Sequence, residues 1–486
     1  MWGAPPQRRE RAEKEAEIFV KVRTLAAAAL AAALVGTGFT ATADAAPSNR
    51  NVQVNVVLTS DITDAALASL ATYGTVTGTL PEIDGVTMNA RLGDLGAIRA
   101  LSTVFATNPD APRVGKPVPI SPYTDTTAGY STWNLDQIDV TEKPGAGTRV
   151  VPETGQGVYV AVLDTGLMSS WRTYFSEDRI ATEYATAFGG GGNSGKGNVS
   201  QQPNKWQTDT NGHGTHVTST ILGYNVNGTP IAGVAPQAKV IPVKVLNNNG
   251  SGQSAMVAAG ITYVGDLKAG PLKDSPVVIN MSLGGSELDA LEKAALDYAI
   301  AQGVLIVASA GNEATAGMGY PGAYEPVVSV AANGWVGEWQ PDAAGNQRTW
   351  WYASDVREKP YIDDDAYITD FSSRALPGQD LDVAAPGSWI LGPYQVNQGQ
   401  LSYYYLGGTS MAAPHVSGLA ALMAEKDGAL TQAQLETTLE DTAVPLEPGC
   451  RTILSGPGTA TEEVCWGADA TGHGIVNAVD ALAATP

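Results

Sequence analysis

The sequence predicts a three-layer α/β domain with a mainly parallel central sheet, preceded by a small α+β unit and a short apolar leader. Three observations carry that reading. Five short runs, Val158–Leu163, Val240–Val245, Val277–Asn280, Val304–Ala308 and Val327–Ala331, are almost continuously apolar, as strands covered on both faces must be. Helical stretches alternate with them, which places helices on both sides of a parallel sheet. Upstream, strand-like and helix-like runs form a compact pattern of their own that ends in a proline-rich stretch from Pro109 to Pro122.

Residues 1–45 form the leader. Leu25 to Val35 is apolar but too short to span a bilayer; it follows Lys21 and Arg23 and precedes Ala43-Asp44-Ala45, a small-x-small cleavage pattern. This is the order of a secretory signal peptide, so a secreted, extracellular protein is expected. The charged stretch Arg8 to Glu17 is long for such a leader, which puts a translation start near residues 20–22 in view. Arg8-Arg9 is followed by Glu10 and Arg11 instead of apolar residues, favouring ordinary secretion over twin-arginine export.

Residues 46–108 read as strand (Val52–Leu58), helix (Asp61–Leu70), strand (Gly85–Arg91), helix (Leu95–Leu101) and closing strand (Thr103–Thr107), a small ferredoxin-like α+β unit. Residues 109–133 read as linker and processing region, and 134–486 as the α/β domain. Two insertions interrupt that domain, at 168–207 and 335–370. The first contains Gly189 to Lys196, which mimics a phosphate-binding loop, but Gly197 stands where a serine or threonine is needed, so it reads as a flexible loop. The second, with Asp363-Asp364-Asp365, reads as a solvated surface loop. Cys450 and Cys465 are the only cysteines, and an even pair in an exported chain suggests one disulfide, worth about 3 kcal/mol by loop entropy. The net charge of −21 excludes nucleic acid as a partner.

Three segments carry chemistry. Gly408 to Val416 presents Ser410 at a glycine-backed turn running into an apolar helix. Val160 to Gly166 places Asp164 at a strand end, and Asn211 to Val217 places His213 at a helix start. A serine hydroxyl is a weak nucleophile until a base removes its proton, so the three are informative together. His213 and His216 lie three apart, but no glutamate stands between them and no further ligand sits at a metal-binding spacing. His415 reads as structural, and His473 lies in a loop. Asp209 either orders the turn before His213 or is a solvated carboxylate.

The chain order Asp164, His213, Ser410, with a fourth block Ala308 to Glu313 between the last two, resembles the subtilisin-like serine proteases, the subtilase family, from about Asn134 to Asp480. The resemblance implies a three-layer subtilisin-like fold and an acyl-enzyme mechanism. Asp164 would orient His213, His213 would act as general base for Ser410, and Asn312 with the Ser410 backbone N–H would hold the oxyanion. Gly250, Ser251 and Gly252 on one side, and Ser282, Leu283, Gly284 and Gly285 on the other, resemble the edges that pair with an extended peptide, which implies broad endopeptidase activity. Glu313 matches the rim of the first specificity pocket, where it would favour basic or polar side chains or lie exposed without consequence. Asn225, Asn227 and Thr229 sit where the family often has a calcium loop, or form an ordinary turn. No cofactor is implied for catalysis, a structural calcium being the one metal in view. The N-terminal unit resembles the family's inhibitory propeptide, or is a permanent accessory domain. The implied partners are peptide or protein substrates and the chain's own propeptide; a monomer is expected.

Overall fold

A computed structural model describes residues 49–118, 120–123, 133–142, 148–189, 199–226, 228–340, 365–394, 402–456 and 458–486. The leader, nearly all of the glycine-rich run, Asn227, Asp363 and Asp364 lie outside the described residues.

The N-terminal unit is built from β1 (Asn51–Leu58), α1 (Asp64–Ala71), β2 (Gly74–Leu80), β3 (Gly85–Arg91), α2 (Leu95–Arg99) and β4 (Val104–Pro109). The strands pair antiparallel in the order β2-β3-β1-β4. Helix α1 starts three residues later than its sequence pattern suggests, because Thr63 takes the capping role by accepting from the Ala66 N–H at 3.2 Å. Strand β2 is missing from the sequence reading. Its glycines and threonines give no apolar alternation, and a register shift between Val76 and Gly78 breaks what periodicity there is. Val54, Val56 and Met88 face α1 and α2 and form a small core with Leu70 and Ile98.

The stretch read as linker is not free chain. Strand β5 (Pro112–Val114) and strand β6 (Ile120–Tyr123) both pair with the α/β domain, before α3 (Trp133–Gln137) begins its core. The domain then runs through β7 (Tyr159–Asp164), β8 (Thr186–Ala187), α4 (His213–Leu222), β9 (Lys239–Lys244), β10 (Ser251–Gln253), α5 (Ser254–Ala269), β11 (Val277–Met281), α6 (Ala290–Ala301), β12 (Val304–Ser309), β13 (Val328–Trp335), β14 (Ala366–Ile368), β15 (Val383–Pro386), β16 (Ile390–Pro393), β17 (Tyr403–Leu406), α7 (Thr409–Lys426), α8 (Gln432–Thr442) and α9 (Ala478–Ala484).

The central sheet has the order β8-β9-β7-β11-β12-β13-β14, with β15 also paired to β13, and only β14 is antiparallel. Alternation along β7 explains the three layers. Val160 and Val162 join a core with Val217, Ile221, Met411 and Leu419 of α4 and α7, whereas Ala161 and Leu163 join a second with Ala258, Ile261, Leu291 and Leu296 of α5 and α6. Val57, Leu80 and Ile83 extend this second core, so the N-terminal unit is docked on the α6 side. Cys450 and Cys465 face each other across an antiparallel hairpin and are joined, with an S–S distance of 2.04 Å. Among the described residues no helix is long and apolar enough to cross a membrane.

Candidate active site

Asp164 ends β7 and is fully buried, where an unpaired carboxylate would be costly. Both its oxygens lie 2.9 Å from Nδ1 of His213, the first residue of α4, and Oδ1 also accepts from the Thr165 N–H at 2.6 Å. The turn ahead of His213 is fixed from beneath. Asp209 accepts from the Asn211 and Gly212 N–H groups, both at 2.8 Å, and from the Thr165 hydroxyl at 2.9 Å. Its carboxyl is buried, which settles the alternatives in favour of an ordering role and pushes its pKa up to about 6 against the pull of Lys244. Lys244, which the sequence reading passed over, donates to the Thr165 carbonyl at 2.7 Å; burial lowers its pKa, while Asp209 and Asp164 oppose that loss of charge.

The other two buried histidines are structural. Burial drives His216 down to about 3 and His415 to about 4, so both rings are neutral near pH 7. His216 Nε2 donates to the Ile390 carbonyl at 3.0 Å, and His415 Nδ1 lies 2.8 Å from the Met411 carbonyl. His473 is half exposed, 3.6 Å from Glu440.

Ser410 is the second residue of α7. Gly408, just ahead of the helix, has φ 147°, a conformation L side chains avoid, and this turn presents Ser410 at the helix start. Pro414 lies four residues on and has no N–H, so the Ser410 carbonyl lacks its helical donor. The Ser282 hydroxyl supplies one at 2.7 Å, tying the helix to the strand end after β11. In return the Ser410 hydroxyl donates to the Ser282 carbonyl at 3.2 Å, and His213 Nε2 is buried without a hydrogen-bond partner. Asn312 Oδ1 accepts from the Thr409 N–H at 2.9 Å and the Thr409 hydroxyl at 3.0 Å, which leaves its Nδ2 amide to donate elsewhere. Thr409 thus orients Asn312, a role that no local motif signals.

A cavity of about 710 Å³ opens at this point, lined among others by Ser410, Asn312, Gly311 and Ser309. Glu313 sits exposed at its rim, accepting from the Asn312 N–H at 2.7 Å and the Ser373 hydroxyl at 3.2 Å. Lys116 and Pro117 line the same cavity, because the chain's own tail crosses it. Strand β5 pairs antiparallel with β10, joining Val114 to Ser251 and Arg113 to Gly252. Val114 and Gly284 exchange bonds of 2.9 and 3.0 Å, the Gly115 N–H donates to the Gly250 carbonyl at 2.9 Å, and the Val118 N–H donates to the Gly407 carbonyl at 2.9 Å. These anchors centre the Lys116–Pro117 bond at the site. Gly115 passes so close that a Cβ there would stand 2.8 Å from both Leu246 Cδ1 and the Ser282 carbonyl and 3.4 Å from His213 Cε1. Leu283 is buried, and Gly285 bonds to Tyr320 instead of the tail, a β-bridge between distant segments that local sequence could not show.

The tail is held by charge as well. Arg113 donates to both oxygens of Glu292, at 2.9 and 2.5 Å, with both side chains fully buried. The one Ser254 hydroxyl lies between two carboxyls, 2.8 Å from Asp110 and 2.6 Å from Asp289; Asp110 also accepts from the Ala255 N–H in the first turn of α5, and Asp289 from Asn55 and Asn108.

The segment read as a calcium loop forms a hairpin, with Val226 opposite Thr229; the Asn225 carbonyl accepts from the Tyr403 hydroxyl at 2.8 Å. Separately, Asp382, Glu436 and Glu440 bring carboxylate oxygens within 4.8 Å of one another. Burial and the neighbouring Glu436 push Asp382 up to about 8, while burial and the acids around it push Glu436 up to about 7, so a retained proton relieves their repulsion.

A buried carboxylate–histidine pair and a helix-borne serine, set at the carboxyl ends of a parallel sheet, are the parts a serine hydrolase needs. The subtilase family model, peptidase S8, matches residues 155–474, and the chain belongs to this family of serine endopeptidases. Subtilisin DY of Bacillus licheniformis is 32% identical over 296 residues, 60% of this chain and 85% of that protein. Subtilisin Savinase of Lederbergia lenta is 31% identical over 331 residues, covering 68% and 97%. Among solved structures, fervidolysin of Fervidobacterium pennivorans, described as a keratinolytic enzyme related to subtilisin, aligns with a TM-score of 0.63 at 24% identity; the match covers 90% of this chain and 62% of fervidolysin's length, and shows the fold. Sphericase aligns with a TM-score of 0.51 at 29% identity, over 72% of this chain and 99% of its own.

Proposed function

We propose that the chain is the precursor of a secreted endopeptidase of broad specificity, in which Ser410, His213 and Asp164 act as nucleophile, general base and orienting carboxylate. The observation that carries this reading is the mode of holding of the tail. The bonds at Val114, Gly115 and Val118 run backbone to backbone, and a cleft that grips the main chain tolerates many side chains. In the reaction, the Ser410 hydroxyl turns from the Ser282 carbonyl toward His213 Nε2, gives up its proton and attacks the peptide carbonyl. Asn312 Nδ2 and the Ser410 N–H, which has no helical acceptor, then receive the oxyanion. His213 passes the proton to the leaving amine, and water completes hydrolysis of the acyl-enzyme. No step needs a metal or an organic cofactor.

The N-terminal unit is read as an inhibitory propeptide. It packs on α6, and its tail occupies the cleft, so removal of this segment frees the site. The test is to purify the chain with and without Ser410→Ala and follow masses over time. Wild type is expected to shed roughly its first hundred residues while the variant stays long and loses on the order of 10⁶ in turnover, the handicap known for such triads. A Ser410→Ala chain that matures and cleaves casein at the wild-type rate would end this reading.

A further inference from the structure

We propose that the edge of β17, Tyr403–Leu406, which β6 covers in this structure, is a binding site for the fourth to seventh residues on the leaving side of an extended polypeptide substrate. This deepens the endopeptidase reading and rests on it. The observation is that the chain's own tail does not end its pairing at the site. Beyond Val118, whose N–H is bonded to Gly407, the tail continues as β6, and Ile120 to Tyr123 lie antiparallel along β17 in the register Ile120 to Leu406, Ser121 to Tyr405, Pro122 to Tyr404 and Tyr123 to Tyr403. The edge is contiguous with the catalytic helix, since Leu406 precedes Gly407 and α7 starts at Thr409. With the Lys116–Pro117 bond centred at the site, Pro117 is the first leaving-side residue and Ile120 to Tyr123 are the fourth to seventh.

Two features make this edge a built surface. In the sheet order β16-β17-β6, four residues of β17 offer their outer main-chain groups to β6, and a substrate strand taking the place of β6 would meet the same template for strand addition. The hairpin that carries it is also fixed before any substrate arrives. His216 bonds to the Ile390 carbonyl at 3.0 Å, the Tyr224 hydroxyl to the Leu391 carbonyl at 3.0 Å, and the Tyr403 hydroxyl to the Asn225 carbonyl at 2.8 Å, while the Tyr224 and Tyr403 rings stack 6.0 Å apart. A preformed edge spares most of the ordering cost of binding.

The register makes the proposal specific. Antiparallel neighbours alternate between hydrogen-bonded and non-bonded pairs, and Pro122 has no N–H to give. The Tyr404–Pro122 pair therefore belongs to the non-bonded class, which assigns the bonding amides to Ser121 and Tyr123, the fifth and seventh leaving-side positions.

The experiment uses internally quenched peptides sharing one acyl-side sequence, with leaving sides of three or of seven residues, turned over by the product matured from the full-length chain. The longer peptide is expected to raise kcat/KM by about tenfold, and N-methylation at its fifth or seventh leaving-side residue to remove about three- to tenfold of that gain, while methylation at the sixth leaves it intact. Equal kcat/KM for the two lengths overturns the proposal, as does a gain indifferent to the methylated position. Turnover of the short peptide is the separate check on the endopeptidase reading; if neither peptide is cut, both readings fall.

Discussion

Replacing Arg113 by alanine should release the tail from the cleft. Arg113 and Glu292 are both fully buried and joined by two bonds, so truncating the arginine strands a carboxylate among Asp289 and Asp110. Burial already pushes Glu292 upward; it also opposes the charge on Arg113, but the three surrounding carboxylates prevail and hold the guanidinium charged. Breaking such a pair by removing one partner costs about 3–5 kcal/mol, or roughly a 10²- to 10⁴-fold rise in the population of the open tail. The assay is hydrogen–deuterium exchange in the Ser410→Ala background, which keeps the chain intact. The amides of Val114, Gly115 and Val118, bonded to Gly284, Gly250 and Gly407, should exchange faster by that factor, while those of α7 stay protected. Lys116→Ala, at an exposed position, should change nothing, and Arg113→Met with Glu292→Leu should recover much of the protection. Exchange in Arg113→Ala within threefold of its parent would refute the claim that this pair fastens the tail.

Two further outcomes are expected. Asn312→Ala should lower kcat about 10²- to 10³-fold with little change in KM, by the loss of one oxyanion donor; an equal fall in binding of a ground-state inhibitor would contradict that role. Asp382→Asn tests a buried carboxyl whose pKa of about 8 in the folded chain lies above its ordinary value. The folded state then holds a proton that the unfolded chain has released, so stability falls as pH rises toward 8, at roughly 1.4 kcal/mol per pH unit. Asparagine keeps an acceptor for Ser329 but has no proton to lose, so melting curves between pH 6 and 8 on the Ser410→Ala chain should flatten by about 2 kcal/mol; parallel pH profiles would show that Asp382 is not the group responsible.

How much of this was legible in the sequence depends on whether the cause was local. The five apolar runs gave the parallel sheet because strands covered on both faces carry that pattern by themselves, and Asp164 and His213, at a strand end and a helix start, are brought into contact. Strand β2 was illegible because threonine and glycine fill it and a bulge breaks its period. The path of residues 112–123 was read as linker, since prolines signal irregular chain locally, while the pairing that captures it is supplied by Gly250, Gly284 and Tyr403–Leu406 from far along the sequence. Asp209 was ambiguous for the same reason: its burial depends on Lys244 and Thr165, neither of which declares itself by spacing.

The exchange between Ser282 and Ser410 also sets where the serine hydroxyl rests. One serine's carbonyl holds the other's hydroxyl away from the imidazole, so a proton transfer to His213 Nε2 would begin with the loss of that hydrogen bond. A single bond between uncharged groups is worth about 1 kcal/mol, which slows that first turn of the side chain by less than about tenfold. The parking place is therefore shallow, and a reagent that traps serines covalently is held back more by the segment crossing the imidazole than by this bond.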